Sequence, residues 1–300
     1  MGEKKGASAK SFIVVAVVTV IALAFAGFAG SGSVEFAGYP SMYLAGWLAL
    51  VINWLAFIPS AAAQSDKFYD TIGAVTYLSV TVFAVFAAIG YHGDLDFRSM
   101  VVAAMVAIWC IRLGTFLYKR IHAAGGADSR FEKIRVNPPR FLVAWTLQAL
   151  WVIFTASAAV AIITSQTRAP VDIFLIAGAV IWLFGFIFES VADAQKSAFK
   201  DNPDNKGKFI NVGLWRWCRH PNYFGEITLW FGILVIAVPI LSGLSWLVVI
   251  SPIFVYVLLT RISGINLQDE QAKKRWGDDP DYQEYRKNTP ALFPKPPSGD

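Results

Sequence analysis

An acid, an amide and two cationic side chains stand close together in the stretch Arg219-His220-Pro221-Asn222-Tyr223-Phe224-Gly225-Glu226. Pro221 suits the first position of a helix, where its missing N–H would have no partner in any case. Asn222 and Glu226 would then lie four residues apart on one helical face. Arg216 and Arg219 could together hold a phosphate beside a helix N-terminus, which also favours anions. Lipid headgroups would satisfy the cations equally well, but they leave Asn222 and Glu226 unexplained.

A second set of side chains with possible chemistry lies at the end of the preceding long apolar run. Its members are spaced 4, 3 and 4 residues apart and therefore share one stripe of a helix; they are Glu189, Asp193, Lys196 and Lys200. Acids at membrane depth are costly and usually face a bundle interior or a watery cavity. The stripe fits either a ladder of salt bridges or a ligand groove, in which acids bind ribose or carboxamide groups and lysines bind phosphates.

Membrane helices are the elements that must position these side chains. Of the 300 residues, 56% are hydrophobic and 16% are charged, with a mean hydropathy of +0.50, whereas a soluble domain usually carries about 25% charged residues. Apolar runs as long as a bilayer span occur at about 11–30, 41–60, 71–91, 99–118, 141–164, 171–193, 222–240 and 243–263. We therefore expect an all-α fold, a polytopic membrane helix bundle with about eight transmembrane helices, or alternatively seven.

The distribution of Lys and Arg predicts how the bundle is oriented. With the N-terminus in the cytoplasm, the outside loops hold only Arg98 and Arg168. The inside segments then hold most of the cations, which are Lys4, Lys5, Lys10, Lys67, six in 119–140, six in 194–220 and seven in 261–300. Both termini are therefore expected to be cytoplasmic. None of the basic segments contains a phosphate-binding GxGxxG or GxxxxGK[ST] motif after a strand, so we expect no separate nucleotide-binding domain.

Residue usage argues against several other classes of site. The three histidines, His92, His122 and His220, are scattered without HExxH spacing, which gives little support to a metal site. The two cysteines lie in an apolar run and in a basic loop, so a disulfide between Cys110 and Cys218 is not expected. The expected partners are membrane lipids and a lipid-like small molecule, with no nucleic acid.

The string from Gly213 through the 219–226 motif resembles the C-terminal domain of the steroid 5-alpha-reductase family, and its bacterial branch most closely. The stretch Glu189-Ser190-x-x-Asp193-x-Gln195-Lys196-x-x-Phe199 resembles the same branch. So does the ending, from Ser263-Gly264-Ile265 through Tyr282-x-x-Tyr285 and Thr289 to Phe293-Pro294-x-Pro296-Pro297. The resemblance covers roughly residues 100–297. It implies a bacterial inner-membrane protein, in which 1–40 form a cytoplasmic segment with an extra helix and 41–300 form a seven-helix reductase-like domain.

The resemblance also implies an activity, which is the NADPH-dependent reduction of a C=C bond conjugated to a carbonyl in a steroid-like or other lipid. By matched position, Asn222 and Glu226 would hold the nicotinamide end of NADPH, and Tyr223 would pack on a ring or bind a phosphate. Glu189 and Asp193 would line the same groove. The phosphates would be neutralised by Lys196, Lys200, Arg216, Arg219 and Arg261. The family's histidine and tyrosine downstream of Arg261 are not matched, because Ile265 and Asp269 stand near those positions.

Reduction of an enone also needs an acid near the carbonyl oxygen, and the resemblance implies a glutamate in an early helix that works with a tyrosine. Asp70, at the start of the third span, could replace the glutamate. The fourth span has no tyrosine at the matching point, but Arg112 could polarise the carbonyl and Tyr118 follows nearly two turns later. Alternatively, Asp70 is an acid at a helix N-terminus and Arg112 forms an ion pair with Asp70 or Glu189.

The shorter core Arg219-His220-Pro221-x-Tyr223-x-Gly225 also occurs in isoprenylcysteine carboxyl methyltransferases and related membrane methyltransferases, which use S-adenosylmethionine. That core alone does not separate a reductase from a methyltransferase. The acid directly after the glycine, Glu226, and the stripe from Glu189 to Lys200 favour the reductase. A non-catalytic lipid-binding protein is a third interpretation, but it must explain intramembrane acids without chemistry.

Overall fold

The computed structural model describes residues 2–123 and 131–297, with side chains from Ser8 onward. A two-stranded antiparallel ribbon, β1 (Glu35–Phe36) and β2 (Tyr39–Pro40), pairs Glu35 with Pro40. Helices make up most of the rest; they are α1 (Gly2–Ala29), α2 (Ser41–Ala62), α3 (Tyr69–His92), α4 (Phe97–Ala123), α5 (Pro138–Thr155), α6 (Ser157–Ile163), α7 (Ile173–Asp201), α8 (Pro221–Ala237), α9 (Ile250–Val257), α10 (Ile265–Trp276) and α11 (Pro280–Asn288).

The helices confirm the predicted all-α membrane bundle. Within the described ranges, 7 helical segments are long and apolar enough to cross a membrane, and the count reaches 8 if α5 and α6 together form one span. Large apolar side chains on these segments are exposed, among them Val20, Val82 and Val180. An integral membrane protein presents such surfaces to lipid, because acyl chains are as apolar as the side chains themselves.

The predicted span at about 141–164 corresponds to α5 and α6, between which the chain bends by 53°. At the break, the amide N–H of Ala156 bonds to Phe154 O and Val152 O. The hydroxyl of Ser157 also donates to the Phe154 carbonyl, at 2.8 Å. Serine hydroxyls that bond back to the preceding turn compete with the helical ladder and bend helices. Hydropathy alone does not register this bend, because the residues on both sides are apolar.

The chain divides into two compact units, Met1–Phe174 with Ala237–Ile250, and Leu175–Ile236 with Ser251–Asp300. In the first unit, α1 packs on α2 and α5, α2 on α3 and α5, and α3 on α4. An aromatic cluster of Phe131, Phe141 and Trp145 fills part of its core. The predicted division between 1–40 and 41–300 remains a prediction.

In the second unit, α7 and α8 approach each other through two pairs of glycines. A Cβ on Gly225 would lie 2.5 Å from Glu189 N and 2.7 Å from Gly185 O. A Cβ on Gly232 would lie 2.7 Å from Gly178 O. Small residues let membrane helices pack backbone against backbone. The first of these contacts places the N-terminal turns of α8 against the backbone of Glu189, and so brings together the two sequence stretches with possible chemistry.

Candidate functional site

The site is built where the cytoplasmic end predicted for α7 meets the first turns of α8. As the proline predicted, α8 begins at Pro221, and Asn222 lies in its first turn. The side-chain Nδ2 of Asn222 donates to Oδ1 of Asp193, at 3.2 Å. Asp193 is only 5% exposed and Glu189, one turn earlier on α7, only 2%. The structure therefore brings Glu189, Asp193 and Asn222 together, as the sequence analysis expected.

Glu226 and Tyr223 lie on the same helix as Asn222, and both are half-buried. The ring of Tyr223 stacks on that of His220, with centroids 5.5 Å apart and planes 9° apart. The hydroxyl of Tyr223 also accepts a hydrogen bond from Nε2 of Gln268, which belongs to α10. Tyr223 is therefore held from two sides.

The cations predicted to bind phosphates differ in their exposure to solvent. Lys196 is half-buried, and its Nζ lies 4.7 Å from the ring centroid of Trp215, which is within cation–π range. Lys200 in the last turn of α7, Arg216 in the turn Gly213–Arg216 and Arg261 in the π-helical turn Leu258–Ile262 are all exposed. Cations exposed in this way are accessible to a soluble anion.

Trp215 fixes the loop before the motif, a role that the sequence analysis did not predict. Its indole Nε1 donates to Ala192 O at 3.0 Å, and its carbonyl accepts from the hydroxyl of Tyr285 at 2.6 Å. Beside it, Gln195 accepts from the backbone N–H of Leu214 at 2.9 Å. Gly213 has a φ of +57° and lies against the Gln195 amide, so only glycine fits there without strain.

Asp269 is the other functional candidate that the sequence analysis did not place in the site. It accepts two hydrogen bonds of 2.9 Å from Nη1 of Arg219 and one of 3.3 Å from Nε2 of His220. Nη2 of Arg286 lies 3.8 Å from the same carboxylate. Arg219, predicted as a phosphate ligand, is therefore already bonded to a carboxylate. The signal that could have pointed to an acid such as Asp269 was Arg219 itself, because a partly buried arginine usually has an acidic partner.

His220 is 4% exposed, and its environment favours the neutral imidazole. Burial lowers the pKa of His220 below its ordinary value, and the charges of Lys196 and Arg219 act in the same direction, whereas the hydrogen bond to Asp269 opposes them. Because a carboxylate only accepts, the proton of the neutral ring is assigned to Nε2. His220 thus adds a fixed donor to the motif and no charge near neutral pH.

Cys218, directly before the motif, should be chemically inert. Its side chain is fully buried, and burial raises the pKa of its thiol to about 12, while only the thiolate reacts. We expect that a maleimide reagent near neutral pH labels neither Cys218 nor the buried Cys110 in the folded protein. Mass spectrometry should show both labelled after unfolding in SDS. Labelling of Cys218 in protein that is still folded would contradict the placement of the 213–220 loop.

The three residues predicted to carry catalysis belong to the first unit. Asp70 lies in the first turn of α3, as the alternative interpretation expected, and accepts a 3.5 Å contact from Nη2 of Arg120. Arg112 is half-buried within α4. Tyr118 is 42% exposed, with its ring centroid 3.9 Å from that of His122. Their catalytic roles remain predictions.

Comparison with known proteins gives two matches. The sequence model of the family described as "Protein of unknown function (DUF1295)" matches residues 56–289. A segment of 57 residues is 40% identical to "Probable O-methyltransferase ustE" of Ustilaginoidea virens, which corresponds to 19% of this chain and 20% of that protein. The match therefore spans about a fifth of that relative's length. No solved structure matches the chain.

Proposed function

Because the chain belongs to the DUF1295 family, whose description assigns no activity, we propose a function from the site: an NADPH-dependent membrane reductase of the steroid 5-alpha-reductase type. Its substrate is a lipid-like molecule with a C=C bond conjugated to a carbonyl, which enters from the bilayer. The observation that carries the proposal is the hydrogen bond between Asn222 and the buried carboxylate of Asp193, beside buried Glu189.

Buried carboxylates next to an oriented amide can bind the uncharged hydrogen-bond donors of a nicotinamide nucleotide. A carboxylate accepts hydrogen bonds from ribose hydroxyls or from a carboxamide N–H, and an amide both donates and accepts. Asp193 and Glu189 would supply the acceptors, and Asn222 and Glu226 would lie one helical turn apart at the nicotinamide end. Because Asn222 is already bonded to Asp193, its orientation is set before a ligand arrives.

The cations proposed for the same cofactor favour a ligand with several negative charges. Lys200, Arg216 and Arg261 are exposed and Lys196 is half-buried, so each can reach a phosphate from the aqueous side. NADPH carries three phosphate groups, whereas S-adenosylmethionine carries a sulfonium cation and no phosphate. A set of four cations attracts the first and repels the second.

Bound NADPH would supply the hydride that the β-carbon of the enone accepts. The protein must then orient the carbonyl and deliver a proton to the resulting enolate. Asp70, Arg112 and Tyr118 are proposed for this part, with Arg112 polarising the carbonyl oxygen. The resemblance in sequence is what supports these roles.

A methyltransferase that uses S-adenosylmethionine is the second candidate. Its support is the 57-residue match to a protein named as a probable O-methyltransferase. The buried acids are also compatible with this alternative, because Glu189 and Asp193 would attract a sulfonium cation. Both candidate functions thus use Glu189 and Asp193 to bind the ligand, but only the reductase gives the cations a phosphate to bind.

A thermal-shift comparison in detergent separates the candidates. A ligand present at about 100 times its Kd stabilises the folded state by about 2.7 kcal/mol, which raises the unfolding temperature by several degrees. We expect this rise with NADPH and NADP⁺, and none with S-adenosylmethionine or S-adenosylhomocysteine. The reverse pattern would favour the methyltransferase over the reductase, and no rise with any of the four would contradict both candidates. A screen of NADPH oxidation over sterol, steroid and fatty enones would then identify the substrate.

A further inference from the structure

Two successive side chains of α10 reach back to the 219–226 motif. Gln268 donates from Nε2 to the hydroxyl of Tyr223, and Asp269 accepts from Arg219 and His220. Three of the eight motif residues are therefore bonded to one turn of α10. The two α10 residues lie about fifty positions from their partners in the motif, so this arrangement is a tertiary feature that no local motif encodes.

The position of α10 is itself fixed at both ends. A Cβ on Gly264, the residue before the helix, would overlap the carbonyl of Leu259, so the turn into α10 is tightly packed. At the other end, Nε1 of Trp276 donates to Gly207 O at 2.5 Å. The partner of Asp269 is held as well, because the backbone N–H of Arg219 donates to Pro290 O at 2.9 Å. The carboxylate of Asp269 is consequently presented to Arg219 from a fixed scaffold.

The contacts of Asp269 determine how the two motif side chains are oriented. Both carboxylate oxygens lie 2.9 Å from Nη1 of Arg219, and the side chain of Arg219 is only 13% exposed. One oxygen also bonds to Nε2 of His220, whose ring stacks on Tyr223. A charge-assisted hydrogen bond to a partly buried guanidinium is among the stronger polar contacts in proteins. Without it, Arg219 would lose its carboxylate partner, and His220 would lose its acceptor.

We propose that Asp269 is a positioning residue, whose carboxylate holds Arg219 and His220 in the orientation that binds the cofactor. The proposal rests on the proposed cofactor site and extends that site to α10. Asp269 acts through Arg219 and His220 and is not itself assigned a contact with the cofactor.

The proposal is tested by equilibrium titration of the purified full-length protein with NADPH, followed by its fluorescence. Asp269→Asn keeps the shape of the side chain and removes its charge, so we expect a roughly tenfold higher Kd. Glu270→Gln is the matched control, because it removes a negative charge from the neighbouring exposed position of the same helix; its Kd should equal that of the unaltered protein. Asp269→Glu should give a Kd between those of the unaltered protein and Asp269→Asn.

A double-mutant cycle separates positioning from a general loss of structure. If Asp269 acts through Arg219, then Asp269→Asn should raise Kd by much less in an Arg219→Lys background than in the unaltered protein. Equal Kd values for Asp269→Asn and Glu270→Gln, or full additivity in the cycle, would overturn the proposal with the cofactor site intact. If Asp269→Asn does not fold, an unaltered Kd for Asp269→Glu would overturn it. Absence of NADPH binding by the unaltered protein would instead overturn the proposed function, and this proposal with it.

Discussion

Replacing Gly225 by alanine should lower the free energy of unfolding by about 1–3 kcal/mol, the usual cost of overpacking a tight interface. The added Cβ would lie 2.5 Å from Glu189 N and 2.7 Å from Gly185 O. These are backbone atoms of a helix, so no side-chain rotamer can relieve the overlap, and α7 and α8 must separate. The unfolding temperature in detergent should fall by about 2–4 °C per kcal/mol.

The matched control is Gly90→Ala, in the last turns of α3. A Cβ at Gly90 would meet nothing within 4 Å, and alanine is favoured over glycine in a helix by roughly 1 kcal/mol. The unfolding temperature of this variant should therefore stay the same or rise slightly. If Gly225→Ala and Gly90→Ala behaved alike, the close approach of α7 and α8 would be wrong, and with it the placement of Asn222 against Asp193.

Asp193→Asn should weaken NADPH binding by about ten- to a hundredfold, because hydrogen bonds to charged groups contribute about 1.5–3 kcal/mol. The substituted amide keeps an oxygen that can accept from Nδ2 of Asn222, so the contact between α7 and α8 survives. What disappears is the negative charge of a side chain that is 5% exposed. The measurement is a titration of each purified variant with NADPH at fixed pH and salt concentration.

Asp278→Asn serves as the control for the second prediction, because Asp278 is an exposed acid after α10 and lies outside the motif. Its removal changes the net charge by the same amount and should leave the Kd for NADPH unchanged. An Asp193→Asn variant that folds normally and binds NADPH as tightly as Asp278→Asn would show that the buried acid does not contribute to the cofactor site.

Local sequence rules predicted the parts of the site that depend on neighbouring residues. Pro221 marked the first turn of α8, since its missing N–H is tolerated there. The 4, 3, 4 spacing placed Glu189 and Asp193 on one face of α7, and both are buried in the structure. These successes share one cause, which is that helical geometry fixes the relation between residues three or four positions apart.

Those local rules could not predict contacts between segments that are distant in the sequence. The partner of Arg219 is Asp269, and spacing along the chain carries no information about that pair. The two glycine pairs could have been noticed, because Gly178 and Gly185 are seven residues apart, as are Gly225 and Gly232. Equal spacing on two helices predicts a line of close contacts once the helices are known to pack. The bend after Thr155 had no clear signal, since serine is also found inside straight membrane helices.

Sequence reasoning assigns two roles to Asp70, one of the residues proposed for catalysis. Asp70 fits equally well as an acid that stabilises the N-terminus of α3, and its contact with Arg120 is consistent with that role. Residue type alone does not separate this role from proton donation, because both need a carboxyl group at a helix end.

The central claim, that the acid and amide pair at α7 and α8 binds NADPH, is tested most directly by titrating the purified protein with NADPH and recording the nicotinamide fluorescence. We predict a saturable change that Asn222→Ala weakens at least tenfold and that excess S-adenosylmethionine does not reverse. No fluorescence change with protein that is folded and monodisperse, or complete reversal by S-adenosylmethionine, would contradict the claim.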